Sequence, residues 1–547
     1  MENEERVWRL RGGSYHSVLE YLLGTTGMTE AELKKPPRTA PDTIENIPAA
    51  AELLLRCLGE KMPVVIIGDY DADGITSTAI LVWLLREYGV AARTILPRRF
   101  TDGYGVSERL VEGIEKSLII CVDNGIAAPG PILKAKNAGN RVIILDHHLP
   151  QETIPAADVI VDPHVNPEKS AYVDYCGAGL ALKLAEQLLP DLSAHQRLFY
   201  TINALACIGT IADVVPLTGD NRRIVRDGLK IINHDRARGM MPCGVRKFLE
   251  SGGIPCDEET VKFRLGPMLN APGRMYDAGS SSALKALLCD EEEKAALYTG
   301  KMDEINESRK RAVSAWTGRY REKVEADAAA QLIYLPGAPE GILGIIAGKM
   351  AESLKMPVFI FSDAAEPGVI KGSGRSYGDF DLFALLLPLI PLTTAAGGHA
   401  GAAGVSIRFE NYKQFRTSAL AYAAEHALPP EEDVLFYDLD VREQDLPALH
   451  LELKNLGPFG EGCESPVFRV SGFSPVVRYG SHYSLMGKEK NHLKLWGSEM
   501  EAVAFSRAEY YQAIGCPERV DMVGSIGENT WNGKTTLQFN VEALRES

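Results

Sequence analysis

The sequence predicts an α/β protein that begins with a parallel sheet, continues into a second α/β region and ends in a β-rich region. Between residues 60 and 215, short β-branched apolar runs alternate with helical patterns, and the same alternation returns from about residue 330. From about residue 434 the predicted strands are short and follow one another closely. Alternating strands and helices are typical of layered α/β domains, whereas successive short strands joined by turns are typical of a small barrel.

Four apolar runs define the first sheet: "PVVIIG", "LIICVD", "RVIILD" and "DVIVDP". Each is almost free of polar residues, as expected of strands buried on both faces of a parallel sheet. An amphipathic helix is predicted from Thr76 to Tyr88. Residues 279–328 contain no proline and predict one or two long helices that link two lobes, with Gly300 and Gly318 as possible interruptions.

Composition indicates a soluble intracellular protein. Of the 547 residues, 45% are hydrophobic and 24% charged, which is ordinary for a globular chain. The nine cysteines are dispersed, without a Cys-x-x-Cys pair, and the polar N-terminus is unlike a secretory signal. The net charge of −15 argues against a broad basic field that coats nucleic acid, but leaves room for a narrow basic groove.

The stretch "GDYDADG" resembles the start of a calcium-binding EF-hand loop, because Asp69, Asp71 and Asp73 alternate along it. An EF-hand loop requires a glutamate at its twelfth position and a helix before it. Here the twelfth residue is Ile80, and the preceding "VVII" predicts a strand. The EF-hand reading is therefore excluded. Helix capping by Asp73 could account for one aspartate, but not for three.

The other apolar runs indicate where these aspartates act. "LIICVDNG" ends in Asp123, "VIILDHH" ends in Asp146, His147 and His148, and "CIGTIADVV" carries Asp213. Taken as strand ends of one parallel sheet, all these side chains would meet at its carboxyl edge, where such folds place their sites.

Several carboxylates in one pocket require counter-charge, because like charges raise each other's pKa. Oxygen ligands with imidazoles favour Mn²⁺, with Mg²⁺ as the alternative and Zn²⁺ disfavoured without thiolates. Five or more ligands suit two divalent cations, which would activate water and stabilise both oxygens at a reacting phosphorus atom. The predicted chemistry is phosphoester or phosphoanhydride hydrolysis.

The motifs "GDYDADG", "VDNG", "LDHH" and "GTIADVVPL" resemble those of the DHH phosphoesterase superfamily. Within it, "LPRRFTDGYG", "GPMLNAPGRMYDA", "GILGIIAGKMAE", "GSGRS", "GGHAGAAGVSI" and "LGPFGEG" resemble the RecJ family of single-strand-specific 5′→3′ exonucleases. The resemblance covers residues 40 to 540. It implies a parallel-sheet DHH domain over residues 1–278, a connecting helix over 279–328, a DHHA1 domain over 329–430 and an OB-like barrel over 431–547.

The resemblance also implies roles for individual residues. The metal ligands would be Asp71, Asp73, Asp123, His147 and Asp213, with Asp123 as the bridge between two cations. The catalytic set would add His148 and Arg274 near the scissile phosphate, with Asp69 and Asp146 orienting water or ligands. The substrate-binding set would be Arg99, Tyr104, Asn270, Ser373, Arg375, Gly398 and His399. Of these, Arg99, Ser373 and Arg375 match the pocket for the 5′-terminal phosphate, and Tyr104 would stack on a base.

The implied function is metal-dependent hydrolysis of single-stranded DNA from the 5′ end, releasing mononucleotides in recombination and repair. The expected setting is a cytoplasmic monomer without membrane contact, assisted by a RecQ-type helicase and a single-strand-binding protein. "CESP" after "PFGEG" departs from the family's usual Asn-Pro. Two alternatives are an oligonucleotide or cyclic-dinucleotide phosphodiesterase of the same superfamily and a catalytically silent replication scaffold. The C-terminal region disfavours the first, and the filled ligand positions disfavour the second.

Overall fold

A computed structural model describes residues 6–103, 105–320, 323–325, 328–426, 434–531 and 534–547. The chain divides into two compact units. Unit 1 comprises residues 1–38, 216–223 and 431–547, and unit 2 comprises residues 39–215 and 224–430. No helix among the described residues is long and apolar enough to cross a membrane.

The strands are numbered along the chain: β1 (Val7–Leu10), β2 (Val64–Ile67), β3 (Arg93–Ile95), β4 (Leu118–Val122), β5 (Arg141–Leu145), β6 (Val159–Val161), β7 (Gln331–Tyr334), β8 (Val358–Asp363), β9 (Val369–Arg375), β10 (Ala395–His399), β11 (Ala402–Arg408), β12 (Val434–Tyr437), β13 (Leu439–Val441), β14 (Phe468–Phe473), β15 (Tyr483–Met486), β16 (His492–Trp496), β17 (Glu501–Ala504), β18 (Val520–Trp531) and β19 (Lys534–Glu546).

The helices are numbered likewise: α1 (Val18–Thr26), α2 (Glu30–Lys34), α3 (Ile47–Gly59), α4 (Ala72–Glu87), α5 (Glu108–Val111), α6 (Pro129–Asn137), α7 (Gly177–Leu188), α8 (Gln196–Ala212), α9 (Gly219–Asn233), α10 (Asp235–Met240), α11 (Cys243–Gly252), α12 (Glu258–Thr260), α13 (Gly266–Met275), α14 (Gly279–Leu288), α15 (Glu292–Tyr320), α16 (Leu343–Leu354), α17 (Leu382–Leu386), α18 (Phe409–Glu425), α19 (Leu446–Leu456) and α20 (Ala508–Ala513).

The first sheet of unit 2 is parallel throughout, in the order β3-β2-β4-β5-β6. Strands β2 and β4 are buried along their whole length, as their apolar runs predict. Helix α4 is buried from Ala72 to Leu85 and begins four residues earlier than predicted. Its burial on all sides explains why apolar periodicity placed its start poorly: a helix without a solvated face has no polar stripe.

The second sheet of unit 2 has the order β10-β11-β9-β8-β7, with β7 and β8 parallel and the other pairs antiparallel. Phe359 and Phe361 pack on one face, and Ile360 packs against α16 on the other. Between the two sheets in sequence lie α14 and the 29-residue α15, which continues through Gly300 and Gly318.

Unit 1 contains a seven-stranded sheet in the order β13-β14-β18-β19-β17-β16-β15, mostly antiparallel, and a parallel pair formed by β1 and β12. The predicted fold class is confirmed: a parallel α/β region, a second α/β region and a C-terminal β region.

Candidate active site

The loop after β2 delivers the first three aspartates. Asp71 is the N-cap of α4, its Oδ1 accepting from the amide of Gly74 at 3.0 Å. Asp73, one residue inside α4, accepts from the amides of Gly177 and Ala178 at 2.6 and 2.9 Å. These amides open α7, so Asp73 lies where a helix dipole favours negative charge. Capping therefore falls to Asp71, while Asp73 is fixed by a second helix.

Asp123 directly follows β4 and has a left-handed backbone with φ of 60°. This conformation is uncommon for a residue with a side chain and is retained mainly at functional sites. A Cβ on Gly177 would lie 2.7 Å from Cβ of Asp123 and 2.9 Å from Oδ2 of Asp73. Glycine at 177 therefore lets the two aspartates stand beside the start of α7.

Asp146 organises the two histidines that follow β5. Its Oδ1 accepts from the amide of His147 at 2.8 Å and lies 2.7 Å from Nδ1 of His148, while Oδ2 accepts from the amide of Ile126 at 2.9 Å. Burial alone would raise the pKa of Asp146, but the His148 hydrogen bond and charge hold it below its usual range. Burial opposes a charge on His148, yet Asp146 raises the pKa of that imidazole to about 9. His148 is therefore a cationic hydrogen-bond donor at neutral pH.

Asp213 is not at a strand end, and this part of the prediction is wrong. The run "CIGTIA" belongs to α8, and Asp213 is the C-cap residue of that helix. Residues 201–210 of α8 are all buried, and an apolar run without periodicity cannot distinguish a buried helix from a buried strand. The helix end nevertheless brings Asp213 to the same place, with Oδ2 3.7 Å from Nε2 of His147.

The side chains converge into three overlapping groups whose ligand atoms lie within 4.8 Å of one another. The groups are Asp69, Asp71 and Asp123; Asp73, His147 and Asp213; and Asp123, His147 and His148. His147 belongs to two of these groups, and its Nε2 lies 3.1 Å from Oδ1 of Asp123.

Electrostatics indicates that this cluster fits cations. Burial and neighbouring carboxylates raise the pKa of Asp69, Asp73 and Asp123, and the same causes raise that of Asp213 to about 9. Both buried oxygens of Asp69 lack a hydrogen-bond partner of normal geometry among the described residues. Divalent cations would supply the missing counter-charge, and carboxylate oxygens with an imidazole are a donor set suited to Mn²⁺ or Mg²⁺.

Basic side chains lie next to the carboxylates. The Arg99 guanidinium stacks on the Tyr70 ring, with Cζ 4.0 Å from the ring centroid. Arg274 on α13 donates from Nη1 to the carbonyl of Gly341 at 3.3 Å, and burial followed by the charge of Arg99 lowers its pKa to about 10. Asn270, one turn earlier on α13, has a buried Oδ1 without a partner among the described residues.

Strand β9 of the second sheet carries a further basic side chain, Arg375. Nη1 of Arg375 lies 3.4 Å from Oγ of Ser373 and donates to the carbonyl of Gly374 at 2.7 Å. A Cβ on Gly344 of α16 would lie 2.8 Å from Nη2 of Arg375, so that glycine makes room for the guanidinium. Burial lowers the pKa of Arg375, and no carboxylate pairs with it among the described residues.

A cleft of about 530 Å³ joins the two regions of unit 2. Its lining includes Tyr70, Arg99, Lys371, Ser373 and Gly397. Gly398 and His399 lie farther along the β10–β11 hairpin, where His399 is exposed and its Nδ1 accepts from the amide of Gly401 at 3.2 Å. The structure thus brings Arg99 and Ser373 together, with Gly398 and His399 outside this lining. Tyr104 lies outside the described residues.

Two features escaped the sequence prediction. The amides of Gly177 and Ala178 hold Asp73, and the only sequence signal was the glycine-rich helix start "CGAGLA". Lys371 lines the cleft and pairs with Glu340 at 2.8 Å. It stands two residues before Ser373, so strand alternation places both on one face.

Family comparisons match three segments of the chain. The DHH family N-terminal domain matches residues 63–210, the DHHA1 domain matches residues 328–425, and the RecJ OB domain matches residues 437–543.

Relatives from bacteria match most of the chain. The single-stranded-DNA-specific exonuclease RecJ of Bacillus subtilis is 31% identical over 519 residues, covering 92% of this chain and 64% of that protein. The chain thus spans less than two thirds of that relative. The RecJ of Thermus thermophilus is also 31% identical, with 92% of this chain and 71% of the relative covered. The RecJ of Salmonella typhimurium is 32% identical, with 92% and 90% covered.

The similarity to RecJ proteins extends to solved structures. The chain is similar to Thermus thermophilus RecJ in complex with Mn²⁺, with a TM-score of 0.81, 27% identity, and 99% of this chain and 80% of that one covered. The Mg²⁺ complex of the same protein gives a TM-score of 0.74 at 25% identity, covering 99% and 78%.

Proposed function

Because the chain belongs to the RecJ family, we propose that it is a metal-dependent exodeoxyribonuclease that hydrolyses single-stranded DNA from the 5′ end and releases 5′-mononucleotides. The observation that carries this proposal is the cluster of buried aspartates beside a cleft with basic walls. An anionic centre that requires cations, next to groups that bind phosphate, is the arrangement needed for phosphodiester hydrolysis.

Two divalent cations, Mn²⁺ or Mg²⁺, would be held by Asp71, Asp73, Asp123, His147 and Asp213, with Asp123 shared. When bound, such ions activate water and stabilise the oxygens that gain charge at phosphorus. Around them, Asp69 contributes a further buried carboxylate for orienting ligands or water. Asp146 fixes His147 and His148 in place.

The cationic residues act on the phosphates. His148, charged through its bond to Asp146, donates toward the scissile phosphate or the departing oxygen. Arg274 and Asn270 contact the same phosphate from α13. Arg99, Ser373 and Arg375 hold the 5′-terminal phosphate, for which the planar guanidinium fork is suited. Gly398 and His399 are proposed to contact a phosphate further along the strand, and Tyr104 is proposed to stack on a base.

The OB-like region grips the strand through aromatic side chains. Tyr479 is 98% exposed and Phe505 62% exposed. Tyr479 lies 6.2 Å from Trp496, and Phe505 lies 5.2 Å from His492, measured between ring centroids. His492 and Trp496 stand at opposite ends of β16, about 13 Å apart at about 3.3 Å per residue. Stacking on such rings grips single strands without reading their sequence.

End-labelled substrates test the proposed function. With Mn²⁺, a 5′-labelled single strand should release labelled mononucleotide at once, a 3′-labelled strand should shorten progressively, and duplex should be spared. Asp73→Ala should abolish digestion. Equal attack on both ends, or full activity of that variant, would contradict the proposal. Preferential cleavage of dinucleotides or cyclic dinucleotides would favour the phosphodiesterase alternative instead.

The domain boundaries at residues 278, 328 and 430 remain predictions, to be checked by limited proteolysis. A monomeric state, a cytoplasmic location, and assistance from a RecQ-type helicase and a single-strand-binding protein also remain predictions. Light scattering, cell fractionation and stimulation assays with each partner would test them.

A further inference from the structure

The turn that carries Arg99 is closed on itself. The amide of Asp102 donates to the carbonyl of Arg98 at 2.8 Å, and the amide of Arg98 donates back to Oδ2 of Asp102 at 2.9 Å. Arg109 pairs with the same carboxylate. These bonds set the shape of the turn, so its position relative to the carboxylate edge must be set by other contacts.

Asp277 makes such contacts. Its Oδ1 accepts from the amides of Phe100 and Thr101 at 3.0 and 3.2 Å, and its Oδ2 accepts from Oγ1 of Thr101 at 2.9 Å. Asp277 stands two residues after the end of α13, the helix that carries Arg274. One carboxylate thus ties the Arg99 turn to the Arg274 helix.

The segment that contains Asp277 also binds the backbone of Tyr70, the residue on whose ring Arg99 stacks. Oγ of Ser280 donates to the carbonyl of Tyr70 at 2.9 Å. Residues 277–280 therefore bind the backbone of Tyr70 and of the two residues that follow Arg99. Tyr70 in turn lies between Asp69 and Asp71 in sequence, so the stack is coupled to the carboxylate edge.

Apart from the stack on Tyr70, few contacts hold the charged end of Arg99. Its buried Nε has no hydrogen-bond partner, and no carboxylate pairs with its guanidinium among the described residues. Its charge instead opposes that of Arg274. The position of Arg99 therefore depends on its stack with Tyr70 and on the backbone contacts of its turn.

We propose that Asp277 is a positioning residue that sets Arg99 for the 5′-terminal phosphate, a role that rests on the proposed function. The Asp277 carboxylate binds three donors of the turn and acts on the substrate only through Arg99. Its removal frees the turn from the end of α13, so that the Arg99 guanidinium is no longer held at the phosphate site.

Kinetics on strands with a 5′-phosphate or a 5′-hydroxyl tests this role. Asp277→Ala should lower the preference for the 5′-phosphate, as the ratio of kcat/KM values, by about 10-fold and mainly through KM. Asp277→Asn keeps an oxygen for the two amides, and its NH2 group can donate to Oγ1 of Thr101, so its effect should be smaller. Thr101→Val removes only the hydroxyl donor, and adding it to Asp277→Ala should cause no further loss of preference.

A structural role alone would give a different pattern. In an Arg99→Ala background, Asp277→Ala should leave the 5′-phosphate preference unchanged, since it acts through Arg99. Amide exchange over residues 97–103 should quicken in Asp277→Ala. Equal losses on both substrates, a further loss without Arg99, or unchanged exchange would each overturn the proposal. If the wild type digests no single strands, the proposed function fails, while exchange at the turn still decides whether Asp277 holds it.

Discussion

Two groups of side chains in unit 2, which we call its two walls, are built differently: the carboxylate edge of the first sheet and the basic face of the second sheet. On the carboxylate edge, Asp69, Asp73, Asp123 and Asp146 are each at most 2% exposed, and Asp73 and Asp146 accept hydrogen bonds from backbone amides. On the second sheet, Ser373 and Arg375 are partly exposed, and strand β10 is exposed along its length. The first wall is a buried anionic cluster that lacks counter-charge, and the second presents accessible basic groups. This difference underlies the proposal that the chemistry takes place at the first wall and that the second wall, together with Arg99, binds phosphate.

The largest effect is expected on the carboxylate edge. Asp123→Asn should lower kcat by more than about 100-fold, since loss of a residue that only supports a metal ligand costs about 10- to 100-fold. The same change should raise the melting temperature of metal-free protein. Burial and neighbouring carboxylates raise the pKa of Asp123, so folding at neutral pH must either bury its charge or take up a proton, and an amide avoids both costs. Asparagine also tolerates the left-handed backbone at 123. Steady-state kinetics and thermal unfolding with EDTA measure both effects.

Asp521→Asn is the matched control for stability. Arg469 holds the pKa of Asp521 below its usual range despite burial, so an amide there should lower the melting temperature. A lower melting temperature for metal-free Asp123→Asn as well would contradict the claim that the carboxylate edge is electrostatically strained.

On the basic wall, Arg375→Ala should raise KM for a 5′-phosphorylated strand about 10- to 100-fold, because hydrogen bonds to charged groups contribute about 1.5–3 kcal/mol. The kcat value should change little. Arg408→Ala, at the exposed end of β11, is the control and should leave KM unaltered. A loss confined to kcat would place Arg375 on the chemical side of the cleft.

A smaller effect is expected for Asp146→Asn. Loss of the carboxylate partner should return the pKa of His148 from about 9 toward its ordinary value and lower kcat about 10-fold at neutral pH. Titration of the imidazole by NMR checks the first effect. An unchanged His148 titration would show that Asp146 does not hold its proton.

The smallest effect is expected in unit 1. Tyr479→Ala or Phe505→Ala should weaken single-strand binding about 5-fold each, at the lower end of stacking contributions of about 1–3 kcal/mol. Fluorescence anisotropy measures this loss, and Leu451→Ala, on α19 and about as exposed as Phe505, is the control. Equal binding by all variants would remove the aromatic rings from the strand path.

Much of the carboxylate edge is predictable from the sequence because parallel strands end at a common edge. Asp123, Asp146 and His147 followed from that rule alone. Asp213 joined them for a different reason, because the end of a buried helix arrives at the same edge. The basic wall could not be derived in this way. Ser373 and Arg375 carry no local signal and were found only through the family resemblance, since their role depends on how two separate sheets face one cleft.

The role of Asp277 could not be predicted from sequence patterns. Nothing in "GRMYDAG" indicates that its aspartate binds the amides of residues 100 and 101, because that contact depends on tertiary structure.

The most direct test of the division between the two walls is a pair of crystal structures. One is the wild type with Mn²⁺ alone, and the other is inactive Asp73→Ala with Mn²⁺ and a 5′-phosphorylated oligonucleotide. Anomalous scattering from the wild type should place manganese among Asp71, Asp73, Asp123, His147 and Asp213. In the Asp73→Ala complex, the 5′-phosphate should lie against Arg99, Ser373 and Arg375. Manganese elsewhere, or a 5′-phosphate bound at the carboxylate edge, would contradict the account.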